Sequence, residues 1–400
     1  MQRDLRIDFV RGAGVLMIAL DHLPGVLNLA AGPVTSPFVT WMRLGWSSAA
    51  EFFVFFSGFL VGLVYLQTLN QQGFALTYAR AAHRAWQIYV ANALTLCAVL
   101  VLLSLPWFHN APLEAATSLD VLTGAQSGSA LIAFLTLRMA PAFFEILPLY
   151  VLLLLVAPIL LLVARKSIVV AVACSVAVWA CVQWNPHLNI AGWNFNPFAW
   201  QIIFVLGMMC SVGRVLERLD AAFGRRKLLI VSGTLLLLAL IVKTVDKANW
   251  SLPLVGEFRI HGIHRSTAGP LLLLHFLVSV IFVMQIVPRT TTIARSTLLG
   301  AIARVGQYSL ECFCISSVLI YPAVGWMANT GFTSPLAIFV VGVLILGLIA
   351  LWALLMYRLR AQPWRSSTAK RAVASNDPAA QRTGKTGDAS MPTALPREPA

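Results

Sequence analysis

Charged side chains are scarce in this sequence, and acidic ones scarcest: Asp and Glu number 15 in 400 residues, and all charged residues together make up 11%. An ordinary soluble domain carries about a quarter. So few charges cannot cover a surface facing water, and a soluble globular fold is excluded. Also missing is any Cys-x-x-Cys pair or Cys/His ligand spacing. The six cysteines fall inside apolar runs, where they read as small core hydrophobes and not as metal ligands or a disulfide framework. No metal and no permanently bound cofactor is expected. There is no internal repeat, which counts against a transporter built from two symmetric halves. No cleavable leader is expected, because Asp8, Arg11, Asp21 and His22 interrupt the first apolar stretch. That stretch reads as a retained first helix.

What is present is apolar: 59% of residues are hydrophobic and the mean hydropathy is +0.80. The apolar runs fall at 8–30, 45–69, 86–106, 143–164, 168–184, 198–216, 228–245, 268–288, 306–328 and 334–357. They predict an all-α polytopic integral membrane protein with about ten transmembrane helices. The formal charge of +14 comes from Lys and Arg lying between these runs. They are not gathered on one face, so no nucleic-acid partner is expected. In alternate connections most of them fall on one side, leaving Arg43, Arg138, Lys243, Lys247, Arg259 and Arg265 on the other. The asymmetry predicts both termini in the cytoplasm. The piece Leu131–Met139, in the longest outer connection, is too short to span. Residues 1–360 form one expected transmembrane domain, and 361–400, rich in Ala, Pro, Ser and Lys, an expected disordered cytoplasmic tail.

Ionisable residues inside a membrane are by default functional. Arg11 and His22 are eleven residues apart, which puts them on one face of a helix, about 20° apart in direction and roughly 16 Å along the axis. That separation is close to the reach of a pantetheine arm, so Arg11 can hold the phosphate end of an acyl-CoA while the thioester lies at His22. Arginine offers phosphate a planar bidentate fork, and histidine titrates near neutrality, as a general base toward a hydroxyl must. Asp8, one turn below Arg11, is expected to pair with it. Glu51 reaches a similar depth on the second helix and can orient the imidazole. Asp21 is the other candidate orienter. Glu145 and His275 are expected in the same outer half, and Glu311 in the inner half. Bland alternatives stand beside these: a snorkelling Arg11, packing histidines, and for Ser57-Gly58 a close helix contact, the favoured reading over a catalytic serine. The loop 185–197, NPHLNIAGWNFNP, carries Trp193 and Asn194 among almost no charges. It suits a neutral polyhydroxyl ligand, or else an interfacial aromatic belt.

The segments RDLRIDFVRG, LDHLPG, SAAEFFVFFSGF, FFEILPLYVLLLLVAP, WNFNPFAWQIIFVLG and VGQYSLECFCISSVL resemble the OpgC family, which transfers succinyl groups onto osmoregulated periplasmic glucans. That family is similar in turn to the wider acyltransferase-3 superfamily, whose first-helix Arg, ten residues, then His is matched by Arg11 and His22. Its acidic-aromatic-SGF segment is matched from Glu51 to Phe59, with Glu where Asp is common. The resemblance implies an acyltransferase-3-like bundle in the bacterial inner membrane, acyl-CoA (succinyl-CoA above all) as co-substrate, and an envelope glycan as acceptor. The expected partners are thus acyl-CoA, the glycan and the lipid bilayer. A transporter or flippase using the same ionisable residues as a proton relay is the alternative. Reporter fusions after Lys370 and within 185–197 are expected to report opposite sides of the membrane; the same side at both points would overturn this topology.

Overall fold

The computed structural model describes residues 4–125, 127–185, 188, 194–247 and 264–360, and among them every regular element is helical. The chain divides into two compact units, residues 1–353 and 354–400, and of the second only the end of the last helix is described.

The first helix, α1 (Leu5–Ala31), starts where the Asp4 carboxylate accepts from the Arg6 amide and stops at Gly32, whose φ of 85° a side chain would oppose. After the single turn α2 (Trp41–Leu44) comes α3 (Ala49–Leu103), 55 residues long. At Gly73 (φ 80°) α3 breaks. Arg80 Nη1 donates to Thr68 Oγ1 at 3.1 Å, whereas a straight helix would hold these residues about 18 Å apart. The two arms therefore double back on each other as a hairpin.

Three short helices follow, α4 (Ala111–Thr117), α5 (Asp120–Thr123) and α6 (Ser127–Leu135). Leu131 and Ile132 of α6 are exposed, and its nine residues are too few to cross a bilayer. Next come α7 (Ile146–Lys166), α8 (Ile168–Trp184) and α9 (Pro197–Val212), the last bent by 67° against α10 (Val215–Phe223). Then follow α11 (Arg225–Lys247), α12 (Pro270–Ile286), α13 (Thr290–Arg295), α14 (Thr297–Gln307), α15 (Ser309–Thr330) and α16 (Pro335–Arg360).

The expected count of about ten spans is not confirmed. Six described helices are long and apolar enough to cross a membrane: α1, α3, α7, α11, α15 and α16; the bent pair α9 and α10 brings the number to seven. Each of the ten apolar runs does fall on helix. The difference lies in length: α8 and α12 have 17 residues each, about 25 Å of helix against a hydrocarbon core of about 30 Å, and two runs share α3. The outward faces of α11 (Ile230, Val231, Leu237, Leu238) and α16 (Phe339, Val343, Leu344, Leu351) are bare aliphatic and aromatic surface, as lipid contact requires.

The core forms around α1 and the first arm of α3. α1 packs against α3, α4, α14 and α15, and α3 against α7, α9, α12 and α15. Two of these crossings bring main chain against main chain. A side chain on Gly12 would strike the carbonyl of Ile302, and one on Gly306 the carbonyl of Asp8. Likewise a Cβ on Gly58 would collide with the carbonyl of Phe204, and one on Gly207 with that of Phe55. Ser57-Gly58 thus marks a close helix contact, in the way small residues let membrane helices approach. Because the obstacle at Gly58 is a backbone carbonyl that cannot swing aside, Gly58→Ala is expected to destabilise the protein by about 1–3 kcal/mol. Gly347→Ala, where a Cβ meets nothing within 4 Å, serves as the control. Thermal unfolding of both in detergent checks this: the midpoint should fall for the first variant alone.

Candidate active site

Two cavities lie along α1. One, about 360 Å³, is lined by Arg11, Ser57, His83, Arg84, Tyr150 and Ser309 among others. The other, about 510 Å³, is lined by Asp21, His22, Glu145, Asn194, Arg265 and Phe143 among others. Arg11 and His22, which the spacing sets on one face of α1, thus open into different chambers. Phe53 lines the first and Phe313 the second. These two rings stack at 6.3 Å between centroids and 20° between planes. Arg11 lies over the Phe53 face at 5.7 Å, and His22 stands edge-on to Phe313 at 6.3 Å. The order Arg11, Phe53, Phe313, His22 runs from one chamber to the other.

His22 is half-buried, with Phe143 edge-on at 4.7 Å. Among the described residues neither ring nitrogen has a hydrogen-bond partner, so the ring is held by packing alone. Phe143 has a φ of 68°, which a bulky residue adopts only when its surroundings force it. The surroundings here do: the Ala142 amide donates to the Thr117 carbonyl at 3.1 Å, and the Tyr321 hydroxyl donates to the Ala142 carbonyl at 2.5 Å. The strained residue is the one against the imidazole.

The carboxylates are arranged differently from the sequence expectation. Glu51 makes no hydrogen bond to His22 among the described residues. It occupies the third position of α3, where its Oε2 accepts from the Ser48 amide at 2.8 Å and the Ser48 hydroxyl at 2.5 Å, in a capping box. The helix N-terminus takes the carboxylate before the imidazole can. Asp21 does line the His22 cavity, and the Thr40 hydroxyl donates to it at 2.5 Å. Glu145, buried just ahead of α7, accepts from Asn194 Nδ2 at 2.5 Å, and both open into the same cavity. Trp193 lies outside the described residues.

His275 does not join this cluster. Its Nδ1 accepts from the Ser47 hydroxyl at 2.8 Å, and its ring fills the space that a side chain on Gly45 would need. It lines a different, smaller cavity, with Trp41, Leu44 and Gly45. From α11, Lys243 donates to the carbonyls of Met42 and Gly45. It clamps the turn ahead of α3 and does not face the His22 cavity. In the other chamber Arg11 Nη2 donates to Ser309 Oγ at 2.7 Å. Asp8 is buried against α14, accepting from Gln307 Nε2 at 3.4 Å, and does not line the Arg11 cavity.

Sequence reasoning missed His83 and Arg84, which the fold of α3 at Gly73 turns toward Arg11. Gly73 within NQQGF was the available signal. It also missed Phe143, which no sequence pattern marks, and Arg265, counted there only as an exception to the charge asymmetry.

A comparison with family models finds one match, to the OpgC protein family over residues 3–360. No curated protein and no solved structure matches the chain. The match spans both chambers and every described helix, and membership points to a glucan-modifying enzyme of acyltransferase type. The apolar helices mark it as a membrane protein, and the chain belongs to the OpgC family.

Proposed function

We propose that the protein is a membrane O-acyltransferase that moves a succinyl or similar acyl group from a CoA thioester to a hydroxyl of a periplasmic or envelope glucan. The observation that carries the reading is the pair of chambers meeting at Phe53 and Phe313, with a guanidinium in one and an imidazole in the other. Arg11 with His83 and Arg84 suits the phosphates of acyl-CoA, because guanidinium forks and phosphate oxygens match in geometry and charge. The pantetheine arm then follows α1 and brings the thioester to His22. Such an enzyme belongs in the bacterial inner membrane with Arg11 toward the cytoplasm, both termini on that side, and an acyltransferase-3-like bundle around it.

In the His22 chamber the imidazole takes the proton of a glucan hydroxyl while the oxygen adds to the thioester carbonyl carbon. Collapse of the tetrahedral intermediate breaks the C–S bond, and the imidazolium returns its proton to the departing thiolate. One ester and one thiol result. Asp21 lines the same chamber as the candidate orienter of the ring; Glu51 acts at one remove, by fixing the start of α3. Glu145 and Asn194 present a carboxylate and an amide to sugar hydroxyls, with Trp193 alongside in sequence. Excluding water from this chamber strengthens each of these electrostatic contacts.

In vesicles supplied with labelled succinyl-CoA and a glucan, His22→Ala is expected to lower the maximal rate by about 10²- to 10⁴-fold with little loss of folded protein. Arg11→Lys keeps the charge but loses the fork, so it should chiefly raise the half-saturating concentration of acyl-CoA. Near-normal turnover by His22→Ala would remove the proposed base. A wild-type protein that neither transfers the acyl group nor hydrolyses the thioester would favour the transporter alternative.

A further inference from the structure

The His22 chamber contains a cation that the acyl-transfer chemistry above does not use. Arg265 lines it, half-buried, in the turn that precedes α12. Its main chain is fixed, since the Trp200 indole donates to the Arg265 carbonyl at 2.9 Å. Its guanidinium is not. The single side-chain hydrogen bond it makes among the described residues runs from Nη1 to the Met42 thioether at 3.1 Å, a weak acceptor. No described carboxylate lies at ion-pairing distance from it. Asp21 and Glu51 are near enough to feel its charge, but their hydrogen bonds come from neutral donors, Asp21 from the Thr40 hydroxyl and Glu51 from Ser48, as Glu145 takes its own from the Asn194 amide. A guanidinium has five N–H donors and stays charged at any physiological pH, and this one lines the chamber with a single weak side-chain hydrogen bond among the described residues. An incompletely paired guanidinium in a half-enclosed space has lost hydration without regaining it, and a planar two-oxygen anion restores the balance.

We propose, resting on the acyltransferase reading, that Arg265 binds the free carboxylate at the far end of the acyl chain, and so restricts the donor to half-thioesters of short dicarboxylic acids. In such a donor the carboxylate lies two or three methylene groups from the thioester carbonyl. A fork on the wall of the chamber that holds His22 can engage it while the carbonyl faces the imidazole. An acyl chain ending in a methyl group leaves the fork unsatisfied, and that penalty is how a site built for a polar group rejects its apolar analogue. Arg265 is thus a specificity-determining residue, apart from the chemical step.

Succinyl-CoA and butyryl-CoA decide this, because they have the same chain length and differ in whether a carboxylate or a methyl group ends the chain. The acceptor is a neutral glucan oligomer, so the acyl carboxylate is the one anion that differs between assays. Wild type is expected to favour succinyl-CoA in kcat/KM. Arg265→Gln should lose about 10- to 100-fold on succinyl-CoA, the worth of a hydrogen bond to a charged group, and stay within about threefold on butyryl-CoA. Arg265→Lys should fall between the two. Equal loss on both donors, or a wild type that does not discriminate, overturns the role of Arg265 and leaves the acyltransferase reading intact. Transfer from neither donor by wild type overturns that reading itself. Because the Trp200 bond is to the main chain, the variants should elute and melt as wild type does, and a variant that aggregates is replaced by Met42→Leu. That change removes the thioether that now engages the guanidinium and should spare or raise succinyl selectivity; a drop confined to succinyl-CoA counts against the proposal.

Discussion

Everything in this protein depends on how closely its helices can approach. Lipid tails are as apolar as leucine side chains, so membrane helices gain little from burying aliphatic surface against one another and associate by packing. Here the packing comes down to main chain on main chain. Gly12 of α1 lies on Ile302 and Gly306 of α14, while Gly58 of α3 lies on Phe204 of α9 and Gly207 of α9 on Phe55 of α3. Gly12 and Gly58 are each the immediate neighbour of a residue that lines the Arg11 chamber, Arg11 in one case and Ser57 in the other. The contacts that fix the two helices also fix the groups that work between them.

A second layer of constraint fixes the start of α3. Ser48 caps the helix, Glu51 completes the box, His275 holds Ser47, and Lys243 gathers the carbonyls of the turn before it. Three ionisable side chains from three helices are thus spent on a single junction. Ser48, Ala49 and Ala50 of that junction line the His22 chamber. The polar network is structural in its bonds, yet it forms one wall of the chamber.

The parts of this arrangement that depend on one helix at a time were legible in the sequence. Helical periodicity alone puts Arg11 and His22 on one face, and each does open into a chamber. The small step at Ser57-Gly58 reads as a close contact and is one. What was not legible is lateral: hydropathy gives depth, and depth cannot say which way a side chain points around the helix axis. His275 was assigned to the wrong cluster for that reason. Glu51 is a different kind of miss, because Ser48-Ala49-Ala50-Glu51 is itself a capping-box pattern and competes locally for the carboxylate. Ten spans are not confirmed, because α8 and α12, with 17 residues each, stand at the lower end of the length that crosses a bilayer. Arg265 and Phe143 sit in connections, where periodicity says nothing.

The stacked rings of Phe53 and Phe313 have one further consequence. The two chambers meet at this pair, and with ionisable groups in both they would form a conduit for protons if polar groups ran between them. The two rings carry no group that can relay a proton, and Arg11 over one and His22 beside the other are kept apart by them. The stack is therefore an insulator in the electrical sense. Replacing either ring with a polar side chain would be felt first in the ion tightness of the membrane that holds the protein.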